Sequence, residues 1–306
     1  MSTTDVPGAG PITRFGGNPA TEASAVRAMT AAAHEGQRRV ADQLTTLQRR
    51  LEASPEDAGL AFRTSRTRAM LAEVARVEQE LLVAGRAFAY RELPALYAQG
   101  ASQLLAELGT TTARLGWTVA DHQALSVIAR DTFSDLASAT HLMADTAKQT
   151  IREVGRQVQG VRTLTGQPLE RANAVMARSL RDGGVTAFVD RAGHRWTLEG
   201  YTRMVVRTKS GQAHNTGRAL AAERAGVDRF VIIDGTNDEA CAEANGRSCD
   251  GGWAIANPLA HPNCRRVFAP DPLGTGAIDF TTGRKPSELY AGAQVDGEVV
   301  DALDGA

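Results

Sequence analysis

Apolar positions in the first half of the chain recur at helical spacing. From about Thr21 to Leu51, the residues Met29, Ala33, Val40, Leu44, Leu47 and Leu51 fall along one helical face. Ser54-Pro55 interrupts the pattern, and Pro55 suits the first turn of a new helix. Met70, Val74, Val77, Leu81, Ala84 and Phe88 then alternate steps of four and three residues. A seam of that period predicts helices packed side by side. It is expected to end near Pro94. A shorter helix follows through Leu96, Leu104, Leu105 and Leu108, closed by Gly109 and Gly116. Thr118 with Asp121 approximates a capping box. Beyond it, Leu125, Ile128, Thr132, Leu136, Ala139, Met143, Ala147, Ile151, Val154, Val158 and Val161 keep to one stripe. An unbroken helix from Val119 to Val161 would be about 64 Å long, which suits an extended bundle or a coiled coil. Gly155 and Gly160 are places where it could kink.

After Val161 the texture changes. Leu169–Leu180 predicts a short helix, and Val185–Val189 with His194–Leu198 a β-hairpin around Asp190–Gly193. Glu199 to about Ala225 reads as a helix stopped by Gly226, with Ser210-Gly211 as a point of disturbance. Phe230–Ile233 and Arg266–Ala269 read as short strands, separated by an irregular stretch that holds all three cysteines. No internal repeat is visible. The pattern predicts an α+β fold: a flexible arm over 1–20, a helical bundle or coiled-coil-like region over 21–162, a small α+β module over 163–270, and an acidic flexible tail over 271–306.

The composition, 42% hydrophobic and 23% charged, is that of a globular chain. No apolar run is long enough for a membrane helix. The segment MSTTDVPGAG lacks a basic region followed by an apolar one, so no secretory signal is expected. Three cysteines cannot build a secreted disulfide framework, which points to assembly in a reducing cytosol.

The net charge of −1 conceals a pattern. Residues 1–150 carry 15 basic and 16 acidic groups, residues 151–230 carry 14 and 7, and residues 231–306 carry 5 and 12. The basic middle admits a polyanion partner, although the acidic end could equally satisfy it. Arg152 and Arg156 lie one turn apart, followed by Arg171, Arg178 and Arg181; one-turn spacing presents both guanidinium groups to one side, as phosphate contact requires. No base-reading motif accompanies them, so any contact with double-stranded DNA is expected to be non-specific and salt-sensitive.

Four pieces occur in order over His194–Phe268: GHRWTLEGYTRMVVRT, GVDRFVIID, a loop with NGRSC, and HPNCRRVF. Together they resemble the C-terminal part of phage minor capsid proteins, the minor capsid protein 2 and Mu-type head-morphogenesis group. The resemblance implies a low-copy, non-enzymatic virion component inside the capsid near the portal. It would dock on the portal protein, contact the major capsid or scaffold protein, assist head assembly, and handle packaged DNA. One departure stands out. Relatives often follow H-P-N-C with a further Cys or His, whereas Arg265 and Arg266 stand here.

Cys241, Cys249, His261 and Cys264 form the one cluster of soft ligands, spaced C-x7-C-x11-H-x2-C. A structural zinc ion takes four such ligands in a tetrahedron and would close a polar loop with little core of its own. Two alternatives stand beside zinc: a local disulfide, and small buried cysteines beside a turn held by His261 and Asn263. Arg203 and Arg207, four apart on one helix, suit either an interaction surface or ion pairs within the module, such as Arg207 with Asp234 or Asp238. Ser210 and His214, at i and i+4, suggest a rival capsid-maturation protease, but no nucleophile elbow or acidic partner accompanies them. His122 and His141 read as surface residues. Glu78 and Glu80 face apart on a helix, which rules out a transferase pair. No metalloprotease, Walker A or dinucleotide motif occurs. A third class, a host coiled-coil adaptor, is distinguished by genome neighbourhood.

Overall fold

The structure, a computed structural model, describes residues 22–53, 67–109, 116–160, 187–190, 193–234 and 238–271. The expected arm over 1–20, the helix start at Pro55, the helix over 169–180 and the tail beyond Asp271 lie outside the described residues. The described chain is mostly helical, with short antiparallel strands in its C-terminal half, and is therefore α+β. In order it runs α1 (Glu22–Ala53), α2 (Thr67–Ala87), a π-helical turn (Phe88–Glu92), α3 (Leu93–Glu107), α4 (Val119–Gly160), β1 (Ala187–Val189), β2 (Arg195–Thr197), α5 (Leu198–Arg224), β3 (Arg229–Ile233), α6 (Glu239–Ala244), β4 (Ser248–Asp250), α7 (Gly251–Ala256) and β5 (Val267–Pro270).

Three local expectations need correction. Pro94 does not stop the helical backbone; it sits in the first turn of α3, where its missing N–H costs nothing, and the π-helical turn joins α2 to α3. Ser210-Gly211 does not disturb α5, because Gly211 lies where a side chain would meet Leu259 and is packed inside the helix. The cysteine stretch is not irregular; it folds into α6, β4 and α7. Each is too short to show a period.

The chain divides into two compact units. The described part of the first comes from 22–27, 86–134 and 204–271, and that of the second from 28–85 and 135–203. Helices α1, α4 and α5 each contribute to both units.

In the second unit the predicted seam is buried. Met70, Val74, Val77 and Leu81 of α2 are buried, as are Ala33, Val40 and Leu44 of α1 and Leu136, Ala139, Met143, Ala147 and Ile151 of α4. Gly36 of α1 lets Leu81 and Val77 approach to within 3.0 and 3.1 Å of where its Cβ would stand. Ion pairs flank the seam. Arg39 of α1 pairs with Glu73 at 2.7 Å and with Glu80, while Lys148 of α4 pairs with Glu78 at 2.6 Å. Glu78 and Glu80 thus serve different helices, as their i, i+2 spacing requires. His141 joins Glu78 at 2.7 Å and is exposed. The hairpin forms as expected: Phe188 pairs with Trp196, and both rings stack edge-on against Tyr201.

In the first unit a three-stranded antiparallel sheet, ordered β4-β3-β5, packs against α3 and α5. Phe230 lies opposite Cys249, and Ile232 opposite Phe268. Their side chains meet Leu104, Leu105, Ala219, Ala222, Ala244 and Ala254 in one apolar cluster. The capping box at the start of α4 is present: Thr118 Oγ1 accepts from Asp121 N–H at 3.3 Å, and Asp121 Oδ2 accepts from Thr118 N–H at 2.8 Å.

Asp121 does more than cap. Its buried carboxylate also accepts from Tyr97 Oη at 2.7 Å and pairs with Arg224. Burial pushes its pKa up, but Arg224, Thr118 and Tyr97 together hold it below the usual value. A depressed folded pKa gives stability that is complete above the unfolded value and is lost as pH falls through the folded one. Acid should therefore weaken the first unit below about pH 4. Urea midpoints of wild type and Asp121→Asn, taken at neutral and acidic pH, measure this. Wild type should lose more than the variant on acidification; equal losses would show that Asp121 carries no acid-linked stability.

Candidate metal centre

Three short pieces of the first unit bring the soft ligands together. Asp238 caps α6, its Oδ1 accepting from Cys241 N–H at 2.8 Å, and this sets Cys241 in the first turn. The segment His261-Pro-Asn-Cys264 makes a tight turn closed by Cys264 N–H donating to His261 C=O at 3.1 Å. Pro262 second and Asn263 third, with φ +65°, match a type II turn. That geometry returns Cys264 beside His261. Asn263 N–H donates to Thr208 Oγ1, and Asn215 Nδ2 donates to the carbonyls of Pro258 and Arg266, which ties the turn to α5.

Cys241 Sγ lies 3.1 Å from His261 Nε2 and 4.0 Å from Cys264 Sγ. The three ligand atoms all lie within 4.8 Å of one another, and both cysteines are buried and free. Two carboxylates border them. Asp238 Oδ2 is 2.9 Å from His261 Nε2, and Asp234 Oδ1 accepts from Cys264 Sγ at 3.4 Å. Asp234 is itself held by Arg266 at 2.8 Å, with both side chains fully buried. Burial, then the neighbouring Cys264 sulfur and Asp234, pushes the Cys241 thiol up; burial does the same to Cys264. Burial also acts upward on Asp238, but bonds from Cys241 and His261 hold it below the usual carboxylate value.

Cys249, expected as a fourth ligand, is not in this group. It sits on β4 opposite Phe230, inside the apolar cluster. Asp238, which cysteine and histidine counting overlooked, stands at the site instead. Its signal in the sequence was a capping one: Asp238 three residues before Cys241 at a helix start.

The other predicted residues fall elsewhere. Arg203 pairs with Glu199 at 3.2 Å in the second unit. Of the two partners suggested for Arg207, Asp234 pairs with Arg266 and Asp238 with His261. Arg207 instead lines a cleft of about 650 Å³ with Glu22, Ser210, His214 and Arg265. Ser210 Oγ is buried without a hydrogen-bond partner, while His214 Nε2 bonds Gln103 at 2.8 Å. Burial and then Arg218 hold the His214 pKa below its usual value. The i, i+4 spacing therefore does not form a nucleophile–base pair. His122 is exposed beside Trp117. Arg152 is exposed on α4. The Arg156 side chain and all of Arg171, Arg178 and Arg181 lie outside what the structure describes.

Residues 166–253 match the family model described as Phage minor capsid protein 2. Over this segment the chain is similar to that family. The match covers under a third of the 306 residues and spans the hairpin, α5, β3, α6 and β4. It overlaps the first three pieces of the resemblance and stops before His261. A structural role in the phage capsid, and a place in the virion, go with the minor capsid family. No curated protein and no solved structure matches the chain. No helix among the described residues is long and apolar enough to cross a membrane.

Proposed function

We propose that this minor capsid protein is a low-copy, non-enzymatic component that docks on the portal inside the phage head. The observation that carries the reading is the minor capsid match over 166–253, read with the order of motifs that continues to Phe268. Long paired helices in the second unit suit protein–protein packing, and Ser210 and His214, whose Nε2 is bonded to Gln103, offer no catalytic pair. In this reading the chain assists head assembly and the packaging or ejection of DNA, with the major capsid or scaffold protein as a further contact. Duplex DNA would be held through its phosphates without sequence preference, and the exposed Arg152 is suited to such a contact.

Quantitative mass spectrometry of purified virions and proheads tests the reading. A few copies per particle, cross-linking to the portal protein, are expected. Absence from both particles, or a copy number near that of the major capsid protein, would overturn it.

A further inference from the structure

We propose that Cys241, His261, Cys264 and Asp238 form a closed structural zinc site that clamps α6 to the turn at 261–264. The inference stands on geometry in the first unit and does not depend on the virion reading.

Distances come first. Tetrahedral zinc with Zn–S near 2.3 Å and Zn–N near 2.0–2.1 Å holds two sulfurs about 3.8 Å apart and a sulfur and a nitrogen about 3.6 Å apart. The structure has 4.0 Å between Cys241 and Cys264 and 3.1 Å between Cys241 and His261. A shift of about half an ångström brings these atoms to coordination distances. Asp238 Oδ2 lies beside His261 Nε2 but outside the group of three, so it must swing inward to supply the fourth donor while its Oδ1 stays on the Cys241 amide.

Proton counting points the same way. His261 Nδ1 lies 2.7 Å from the Pro262 carbonyl oxygen, which can only accept. The Nδ1 proton is therefore used there, and Nε2 is the ring nitrogen that faces the site. Nε2 lies 2.9 Å from a carboxylate oxygen and 3.1 Å from a sulfur. A ligating histidine whose other ring nitrogen donates to a backbone carbonyl is also the usual outer-shell arrangement.

The charge is nearly balanced, −3 from the ligands against +2 from the ion. Two thiolates and one carboxylate meet the divalent ion, the imidazole is neutral, and Arg266 neutralises Asp234 behind Cys264. Softness selects the metal: two sulfurs and an imidazole favour zinc over magnesium or calcium. With four protein ligands no position is left open, so the role is structural rather than catalytic. Cys249 is outside the set because its strand position commits it to the apolar cluster.

The test uses the full chain, purified under reducing conditions without chelator, with elemental analysis and circular dichroism. About one equivalent of zinc per chain is expected, retained in Cys249→Ala and lost in Cys264→Ser. Asp238→Asn should weaken zinc retention against a competing chelator at least about tenfold. If Cys264→Ser fails to fold, cobalt loading of wild type decides the matter: thiolate-to-cobalt absorption is expected. Folded, reduced protein that carries no zinc and takes up none from added zinc chloride would overturn the proposal. So would a Cys241–Cys264 disulfide in its place, or zinc lost from Cys249→Ala and kept in Cys264→Ser. Unchanged retention in Asp238→Asn would remove that residue from the site.

Discussion

Arg266→Met is expected to cost the first unit about 3–5 kcal/mol, the largest single-residue loss in the described chain. Arg266 and Asp234 are both fully buried and pair at 2.8 Å. Removing the guanidinium leaves a carboxylate in the interior with its main partner gone. The cost comes from that stranded charge more than from the lost attraction, because bringing two ions out of water consumes most of what they regain. The consequence can be measured. Asp234→Leu combined with Arg266→Met should recover much of the loss, since an apolar pair of similar volume is often as stable as a buried ion pair. Urea titrations of the two single variants and the double variant, under conditions where the slopes agree, give the coupling directly. A loss below about 1 kcal/mol in the single variants would place Asp234 within reach of water. Arg266 stands two positions beyond Cys264, the last residue of the H-P-N-C turn. Here that position is committed to holding Asp234 behind Cys264.

Gly217→Ala should destabilise the first unit by about 1–3 kcal/mol, although alanine is the better helix former by about 1 kcal/mol. A Cβ at Gly217 would stand 2.3 Å from the Tyr97 carbonyl oxygen, and one at Gly100 would stand 2.1 Å from the His214 carbonyl oxygen. Both obstacles are backbone, so the clash is relieved by moving α3 and α5 apart. That movement would loosen the apolar cluster, which holds Leu104 and Leu105 of α3 against Ala219 and Ala222 of α5. Gly211 is the internal control. Its nearest neighbour is a Leu259 side-chain carbon at 3.3 Å, which can turn aside. Thermal or urea midpoints of Gly100→Ala, Gly217→Ala and Gly211→Ala should rank the first two well below the third. A stabilised Gly217→Ala would mean that the helices do not touch at this point.

The sequence by itself determined what depends on near neighbours. Helix α2 is legible because Met70, Val74, Val77 and Leu81 recur every three or four residues, and a helix puts such residues on one face whatever lies opposite. The start of α4 is legible because Thr118 and Asp121 satisfy each other's backbone across one turn. The β1–β2 hairpin, the end of α5 at Gly226 and the strands β3 and β5 follow from turn chemistry and short apolar runs in the same way. The similarity to the minor capsid family over 166–253 was also readable, since it lies in the order of linear motifs. The tertiary structure decided what depends on residues far apart. Soft-ligand counting proposes Cys249, but β-pairing with Phe230 turns it into the core, and Asp238 reaches His261 only once α6 and the 261–264 turn are placed together. Arg207 and Arg266 look alike in the sequence, and the fold chose Arg266 for Asp234 because β5 carries it into the interior beside β3. The two interleaved units and the contact at Gly100 and Gly217 have no local signature either. Helical period and turn residues report the conformation of a few consecutive peptides, whereas which face meets which partner is set by packing summed over the whole unit.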